Sequence, residues 1–406
     1  MQQDISPATA PQHTGLARFL DACHLRQPDA TPVWFMRQAG RCLPEYRELL
    51  AKYDVLTIAR TPELCTEVSL LPVDRLGVDA AVLYADIMLP IQGMGVSLEI
   101  DPAVGPIIHH PIRTMEAVDV LRVTSPEEGT PFVLEATRMV RQALGNQKAI
   151  IGFCGGPFTL AGYLIEGRPS RDYFYAKSLM YGQSAIWHAL MEKITTVMAD
   201  YLVAQVRAGA DAVQLFDSWV GNLSPSAYKE FVFPYSKRIL DAVKRETDAP
   251  TIHFATGNAT ILDLMVEAGG DLMCVDSRYD LDEAWARIGY DHGIQGNLDA
   301  TRLLAGWEAT EAGMRDVLRR ANNRAGHVFN LGHGVAGQTD PDLLRRLVDA
   351  VHTESARLQT KTCQRSFDRV ARGLQGAFPL TGDWGCAPVI LSLFLAAAGD
   401  IFPMKK

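Results

Sequence analysis

Eight short apolar runs constrain this chain more than any other feature of its sequence. Each run ends in Gly or a polar residue, and they cover residues 33–36, 80–84, 150–153, 212–216, 251–254, 273–276, 294–297 and 328–331. A strand that is covered on both faces has a continuous apolar run, whereas a half-exposed strand alternates apolar and polar residues. The runs therefore predict parallel strands with helices on both faces of the sheet.

Segments with helical spacing lie between the runs. Apolar residues three and four apart among polar ones predict helices over residues 183–208, 224–245, 259–268, 301–323 and 341–357. Eight strand–helix units suit closure into a barrel, so the pattern predicts an α/β fold with a single (β/α)₈ TIM-type barrel. An open doubly wound sheet has the same local pattern and stays the alternative.

The two ends of the chain do not follow this alternation. We expect residues 1–14 to be a flexible N-terminal tail and residues 15–358 to be the (β/α)₈ catalytic domain. Residues 359–406 are then a short C-terminal extension of unknown role. Its apolar stretch at residues 387–398 is short for a membrane span and favours a packed or interfacial helix.

Charge and cysteine content exclude several classes of protein. The formal net charge of −8 argues against nucleic-acid or membrane-surface binding, which needs a basic footprint. The seven cysteines include no Cys-x-x-Cys pair, which favours a reducing compartment over a disulfide framework. Neither a signal peptide nor an apolar run of membrane length is visible, so we expect a cytoplasmic protein without integral membrane association.

The residues that follow the strands are the candidates for an active site, because barrel enzymes place their sites there. These candidates are Arg37, Gln38, Ala39, Gly40 and Arg41 after the first run, Asp86 after the second, Ser218 after the fourth and His333 after the last. Two arginines this close repel each other unless an anion lies between them, and Arg binds carboxylates in a bidentate fork. The sequence therefore indicates a site for a polycarboxylate.

Each candidate also has an ordinary structural explanation. The alternatives are ion pairs of Arg37 or Arg41 with Glu45 or Glu63, a salt bridge from Asp86 to an arginine, a helix cap for Ser218, a tight turn for His333 and amphipathic core for Tyr163. No motif for a serine nucleophile, a phosphate cradle, a zinc site or a Schiff-base lysine is visible. The residues alone thus indicate chemistry on a polycarboxylate without a cofactor or a metal.

Several blocks of the sequence resemble the uroporphyrinogen decarboxylase family. The N-terminal block RQAGRCLPEYR at residues 37–47 is the most specific, and YADI at 84–87, GGPFTL at 155–160, QLFDSW at 214–219 and FNLGHG at 329–334 follow in family order. The resemblance extends from about residue 15 to 358. Ala85, Cys42 and Ser277 depart from it, since the family commonly has Ser, Tyr and Trp at these positions.

The resemblance implies a carboxy-lyase of porphyrin (haem and chlorophyll) biosynthesis, usually a homodimeric barrel. It would remove CO₂ from the four acetate arms of uroporphyrinogen III and leave the methyl groups of coproporphyrinogen III, without a cofactor or metal. The catalytic residues that it implies are Asp86, Arg37 and Tyr163. The implied substrate-binding residues are Arg37, Gln38, Ala39, Gly40, Arg41, Asp86, Tyr163, Ser218 and His333.

Two rival functions use the same features. A zinc-dependent methyltransferase of the same superfamily has a His-x-Cys block after the fifth strand, whereas this chain has His253-Phe254-Ala255. A non-catalytic tetrapyrrole carrier would need the same carboxylate-binding residues, and release of CO₂ distinguishes the enzyme from the carrier.

Overall fold

The computed structural model describes residues 13–101 and 104–374 of the chain. The predicted N-terminal tail lies outside the described residues except for its last two positions. Thr14 caps the first helix, since its hydroxyl accepts a hydrogen bond from the amide of Ala17 at 3.1 Å. The apolar stretch at residues 387–398 also lies outside the described part.

The strands of the described residues form one parallel sheet and one hairpin. They are β1 (Ala80–Val82), β2 (Leu98–Asp101), β3 (Gly105–Ile108), β4 (Ala149–Gly155), β5 (Ala212–Phe216), β6 (Thr251–Phe254), β7 (Leu272–Cys274), β8 (Gly293–Leu298) and β9 (His327–Leu331). The sheet has the order β1-β4-β5-β6-β7-β8-β9 with every neighbouring pair parallel. β2 and β3 pair antiparallel.

Helices connect the strands of the sheet in the described residues. They are α1 (Gly15–Cys23), α2 (Pro44–Leu50), α3 (Val55–Arg60), α4 (Pro62–Leu76), α5 (Leu89–Gly93), α6 (Met115–Asp119), α7 (Pro126–Gly129), α8 (Pro131–Leu144), α9 (Pro157–Glu166), α10 (Phe174–Gly182), α11 (Ser184–Ala208), α12 (Pro225–Phe231), α13 (Phe233–Glu246), α14 (Leu262–Ala268), α15 (Leu281–Ile288), α16 (Thr301–Leu304), α17 (Trp307–Ala321) and α18 (Pro341–Leu374). Within these bounds, no helix is both long and apolar enough to cross a membrane.

Seven of the eight predicted runs are strands, and the α/β class with a curled parallel sheet is confirmed. The first run is the exception, because residues 33–36 form only an isolated bridge from Val33 to Phe329. The amides further along this run bind side chains instead of a neighbouring strand. Phe35 N donates to Gln38 Oε1 at 2.9 Å, and Met36 N donates to Asn330 Oδ1 at 3.1 Å.

The predicted helices over residues 224–245 and 301–323 were wrong as single helices. The first divides into α12 and α13 at Val232, because Pro234 has no amide hydrogen to continue the helical ladder. The second divides into α16 and α17 around Gly306, whose φ of 93° is left-handed. The helix predicted over residues 341–357 continues as α18 to Leu374, past the predicted domain boundary.

Two apolar cores lie on opposite faces of the sheet. The inner one consists of alternate strand residues together with one face of α1, namely Phe19, Ala22, Cys23, Trp34, Met36, Ala80, Ala149, Ile151, Ala212, Ile252, Phe254, Leu272, Cys274 and Val328. Since Leu16 N donates to Gln147 O just before β4, α1 covers the N-terminal ends of the strands. The outer core packs the remaining helices against the sheet. The C-terminal ends of the strands are therefore the end left for a site.

Candidate active site

A cavity of about 760 Å³ lies at the C-terminal ends of the strands. All of the predicted site residues line it, namely Arg37, Gln38, Ala39, Gly40, Arg41, Asp86, Tyr163, Ser218 and His333. These residues come from the segment after residue 36, from α9 and from the loops after β1, β5 and β9. The structure thus brings together side chains that are up to three hundred positions apart in the chain.

The segment that carries Arg37 has an unusual backbone. Arg37 has φ of 62°, in the left-handed region that non-glycine residues rarely adopt. A Cβ on Gly40 would lie 2.6 Å from Arg37 O, and a Cβ on Gly334 would lie 2.6 Å from Arg37 Cδ. Val335 N donates to Met36 O at 2.9 Å, which holds the loop after β9 against this segment. Arg37 therefore fits here because Gly40 and Gly334 have no side chains.

The side chain of Gln38 stabilises this segment through two hydrogen bonds. Its side chain is buried, its Oε1 accepts from Phe35 N, and its Nε2 donates to Ala80 O at 2.9 Å. Both polar ends of the amide thus bind the backbone. Any contact of Gln38 with a ligand would come from its main chain.

Asp86 lies beyond β1, half-buried in the cavity wall. Its Oδ1 accepts a hydrogen bond from Met88 N at 2.8 Å. Burial raises the pKa of Asp86, although the Met88 amide and the positive charge of Arg37 act in the opposite direction. Within residues 13–101 and 104–374 no ion pair joins Asp86 to an arginine, so the predicted salt-bridge alternative is wrong. Glu45, the proposed partner of the arginines, pairs with Arg75 instead.

Tyr163 and Ser218 enter the cavity from α9 and from the loop after β5. Burial raises the pKa of Tyr163, a hydrogen bond with Trp219 lowers it, and the charges of Asp86 and Arg37 act on it with opposite signs. The phenol is therefore close enough to sense both charged groups. Ser218 does not cap the following α-helix, because Ser224 caps α12 through the amide of Ala227.

His333 lies exposed at the mouth of the cavity, between two glycines. A Cβ on Gly332 would lie 2.3 Å from Ser277 N, so this loop packs closely on the loop after β7. The close packing fixes where the imidazole emerges from the backbone.

The cavity wall also contains aromatic residues that were not predicted from the sequence. The hydroxyls of Tyr46 and Tyr84 lie 2.6 Å apart, and both residues line the cavity. Trp34, Phe153 and Phe216 form an apolar floor, in which the rings of Phe153 and Phe216 meet edge to face at 5.4 Å. Alternate residues of a strand lie on the same face, so this two-residue period could have predicted the floor. That prediction needs the inward face of each strand, which the sequence does not give.

The ends of β6, β7 and β8 do not contribute to the cavity. Asp276 Oδ2 accepts from Gly257 N at 2.5 Å, and Asn297 Nδ2 donates to Asp276 O at 3.0 Å. These polar residues bind one another across neighbouring strands. His253 is likewise buried away from the cavity, where its Nδ1 lies 3.1 Å from Gly269 O and burial lowers its pKa to about 4. In the described part of the chain, no cluster of three His, Cys, Asp or Glu side chains is arranged to hold a metal ion.

Comparison with known families identifies the chain. Residues 14–354 match the family model described as uroporphyrinogen decarboxylase (URO-D). The chain belongs to the uroporphyrinogen decarboxylase family. The match covers all of the residues that line the cavity, and it ends within α18.

Relatives named uroporphyrinogen decarboxylase support this assignment. The chain is 47% identical over 338 residues to the protein of Carboxydothermus hydrogenoformans, a match that covers 83% of this chain and 96% of that one. It is 49% identical over 336 residues to that of Sorangium cellulosum, with 83% and 96% covered. It is 47% identical over 358 residues to that of Streptomyces coelicolor, with 88% and 100% covered.

The fold is also shared with a solved methyltransferase from Methanosarcina mazei. The TM-score is 0.70, the sequence identity is 23%, and the match covers 83% of this chain and 98% of that one. At this identity the likeness shows the fold alone. It agrees with a TIM-like arrangement of the curled parallel sheet.

Proposed function

We propose that this member of the uroporphyrinogen decarboxylase family removes CO₂ from the four acetate arms of uroporphyrinogen III and yields coproporphyrinogen III, without a cofactor or metal. The observation that carries the proposal is the position of Asp86, a half-buried carboxylate, in one cavity with Arg37 and Arg41. The cavity volume of about 760 Å³ is typical of sites for small molecules.

The chemistry needs a place for electrons when CO₂ leaves. Cleavage of the bond between the acetate methylene and its carboxylate leaves an electron pair on the methylene carbon. If the adjacent pyrrole ring has first gained a proton, that cationic ring takes up the pair. A second proton then adds to the methylene carbon to form the methyl group, and the ring returns its proton. The substrate itself is thus the electron sink.

Asp86 acts in this scheme as the fixed negative charge. It would accept hydrogen bonds from pyrrole N–H groups and stabilise the positive charge that develops on the ring. A preorganised group of this kind is worth about 3–4 kcal/mol in a water-poor site. The raised pKa of Asp86 agrees with this role, because perturbed carboxyl groups in a cavity are typical of functional sites.

Arg37 and Arg41 would bind acetate and propionate carboxylates, and Tyr163, Ser218 and His333 would orient the remaining ones. Arg37 is the candidate proton donor among the two arginines, but a guanidinium transfers protons less readily than an acid matched to neutral pH. A water molecule that Arg37 orients is the better proton source. Tyr163 keeps its phenolic proton, since burial raises its pKa, and it can donate a hydrogen bond to a substrate carboxylate.

The proposal also covers the closure of the barrel, the bounds of the catalytic unit and the oligomeric state. Trp34 N donates to Phe329 O at 3.4 Å and Asp79 N donates to Val33 O at 2.8 Å, so residues 33–34 lie between β9 and the start of β1. We propose that this segment is the first strand of a closed (β/α)₈ barrel. The catalytic unit would then be residues 15–358, with a peripheral extension beyond it, and the protein would act as a homodimer.

Anaerobic incubation with reduced uroporphyrinogen III tests the function. We expect stepwise loss of four carboxylates, resolved by the carboxylate number of the oxidised products, at the same rate with and without a chelator. Binding without loss of carboxylates would instead indicate a carrier. Activity that a chelator abolishes would indicate a metal-dependent enzyme.

Gly334→Ala should raise the KM for uroporphyrinogen about tenfold or more. The new methyl group would lie 2.6 Å from Arg37 Cδ and would displace the guanidinium, and small displacements of a binding group have large effects on rate. Steady-state kinetics of the purified variant measure the effect. Gly182→Ala is the control, since no heavy atom lies within 4 Å of that Cβ position. An unchanged KM in Gly334→Ala would contradict the placement of Arg37.

A further inference from the structure

Asp217 is a fully buried carboxylate directly beneath the cavity. It follows β5 and precedes Ser218, and its side chain has no exposed surface. Its Oδ1 accepts two hydrogen bonds from Thr159, at 3.0 Å from the amide and 2.9 Å from the hydroxyl. Its Oδ2 has no hydrogen-bond partner in the part of the chain that the structure describes.

The two hydrogen bonds join parts of the chain that are 58 residues apart. Thr159 lies in the first turn of α9, where amides have no acceptor within the helix, so Asp217 acts as a cap supplied from another loop. The Thr159 hydroxyl in turn accepts from Trp219 N at 3.2 Å. The loop after β5 and the start of α9 are thus joined through one carboxylate.

Both joined elements carry residues of the candidate site. Tyr163 is four positions after Thr159, one helical turn along α9, and Ser218 is the next residue after Asp217. The packing between the two elements leaves no free space, since a Cβ on Gly156 would lie 2.4 Å from Asp217 Cβ. A shift of α9 against this loop would therefore move Tyr163 relative to Ser218.

The carboxylate is not explained by stability alone. Burial raises the pKa of Asp217 to about 6, against the effect of the hydrogen bonds from Thr159 and of the nearby Phe158 amide. A buried group with a raised pKa makes the folded state less stable at neutral pH than a neutral group of the same shape would. Such a group is more typical of a functional site than of a structural one.

We propose that Asp217 is a positioning residue for decarboxylation, which holds Tyr163 and Ser218 in the relative placement that the substrate carboxylates require. This inference rests on the proposed function. Asp217 acts through Thr159 and Trp219 and does not itself contact the substrate.

The positioning role of Asp217 should depend on pH, and it should weaken only as the pH falls. The titratable side chains that face it are the Cys154 thiol of β4, the Tyr173 phenol before α10 and the Tyr228 phenol of α12, and all three stay neutral because burial raises their pKa values. Above pH of about 6 the carboxylate accepts both bonds from Thr159. As the pH falls below that value it gains a proton and the joint weakens, so kcat/KM should fall.

Asp217→Asn tests the inference through kinetics. We expect kcat to fall roughly 10- to 100-fold with a smaller change in KM, and the acid limb of the pH profile near pH 6 to move or disappear. Thr159→Val removes the hydroxyl donor but keeps the amide, and it should have a weaker effect of the same kind, which Thr159→Ser restores. In a double-mutant cycle, Asp217→Asn should have a much smaller effect when Tyr163→Phe is already present.

Asp211→Asn is the matched control. Asp211 lies before the opposite end of β5, its Oδ2 accepts from Ile150 N at 2.7 Å, and burial raises its pKa as well. The control should change thermal stability but neither the acid limb nor the coupling to Tyr163→Phe. Additive effects of Asp217→Asn and Tyr163→Phe, or an unchanged acid limb, would overturn the inference.

Hydrogen exchange separates this inference from the proposed function. The Thr159 amide depends on Asp217 for an acceptor, so it should exchange faster in Asp217→Ala, and faster in the wild type below pH 6 after correction for intrinsic rates. Equal protection in both proteins would overturn the joint itself. A wild type that protects the Thr159 amide but releases no CO₂ would refute the decarboxylase function and, with it, the positioning role.

Discussion

Asp86→Asn should lower turnover of uroporphyrinogen about 100- to 1,000-fold, which is the effect of losing one preorganised group that stabilises transition-state charge. The variant should be at least as stable to heat as the wild type. Burial raises the pKa of Asp86, so the ionised carboxylate destabilises the folded state above that pKa, and the neutral amide removes this effect. Loss of activity together with unchanged or higher stability is the mark of a functional group.

Two measurements on one preparation test this prediction. CO₂ release gives the activity, and thermal unfolding followed by circular dichroism gives the stability. Wild-type activity should also decline as the pH falls through the raised pKa of Asp86, because the protonated acid no longer stabilises a cationic ring. A folded Asp86→Asn enzyme with turnover close to that of the wild type would refute the central-carboxylate mechanism.

Asp79→Asn should lower the free energy of unfolding by about 3–5 kcal/mol, the usual effect of breaking a buried ion pair. The Asp79 side chain has no exposed surface and accepts from Arg18 Nη1 at 2.7 Å, from Val33 N at 2.8 Å and from His352 Nε2 at 2.7 Å. It joins α1, the segment before residue 34 and α18 at the N-terminal ends of the strands. In the Asp79→Asn variant, the side-chain NH₂ group would face some of these donors and could not accept their hydrogen bonds.

Denaturant unfolding at neutral pH measures this loss of stability. Asp29→Asn is the control, since Asp29 binds the same Arg18 at 2.7 Å but its side chain is 38% exposed, and pairs that reach solvent contribute about 1 kcal/mol or less. Burial alone would raise the pKa of Asp79, but His352, Arg18 and Lys148 lower it below the ordinary value. The stabilisation is therefore present at neutral pH and is lost as the pH falls through that lowered pKa. An equal loss of stability in both variants would contradict the prediction.

The site was more predictable from the sequence than the way it is held in place. Arg37, Asp86, Ser218 and His333 follow apolar runs by one or two positions, so the rule that barrel sites lie at strand ends was enough to select them. Their chemical roles stay predictions, and the variants above test those of Arg37 and Asp86. Gln38 fell in the same motif, but its direction toward Ala80 depends on a backbone turn that the motif does not reveal.

By itself, the sequence determined the α/β class, the positions along the chain of seven of the strands and the family, because apolar periodicity and contiguous motifs are local properties of the chain. Only the tertiary structure decided that residues 33–36 form a bridge, that the ends of β6 to β8 bind one another, and that the cavity lies beside β1, β4, β5 and β9. It alone also paired Asp217 with Thr159 and Asp79 with His352, which is 273 positions away. Such pairs arise from how loops and helices pack against the sheet, and no period or motif in the sequence encodes that packing.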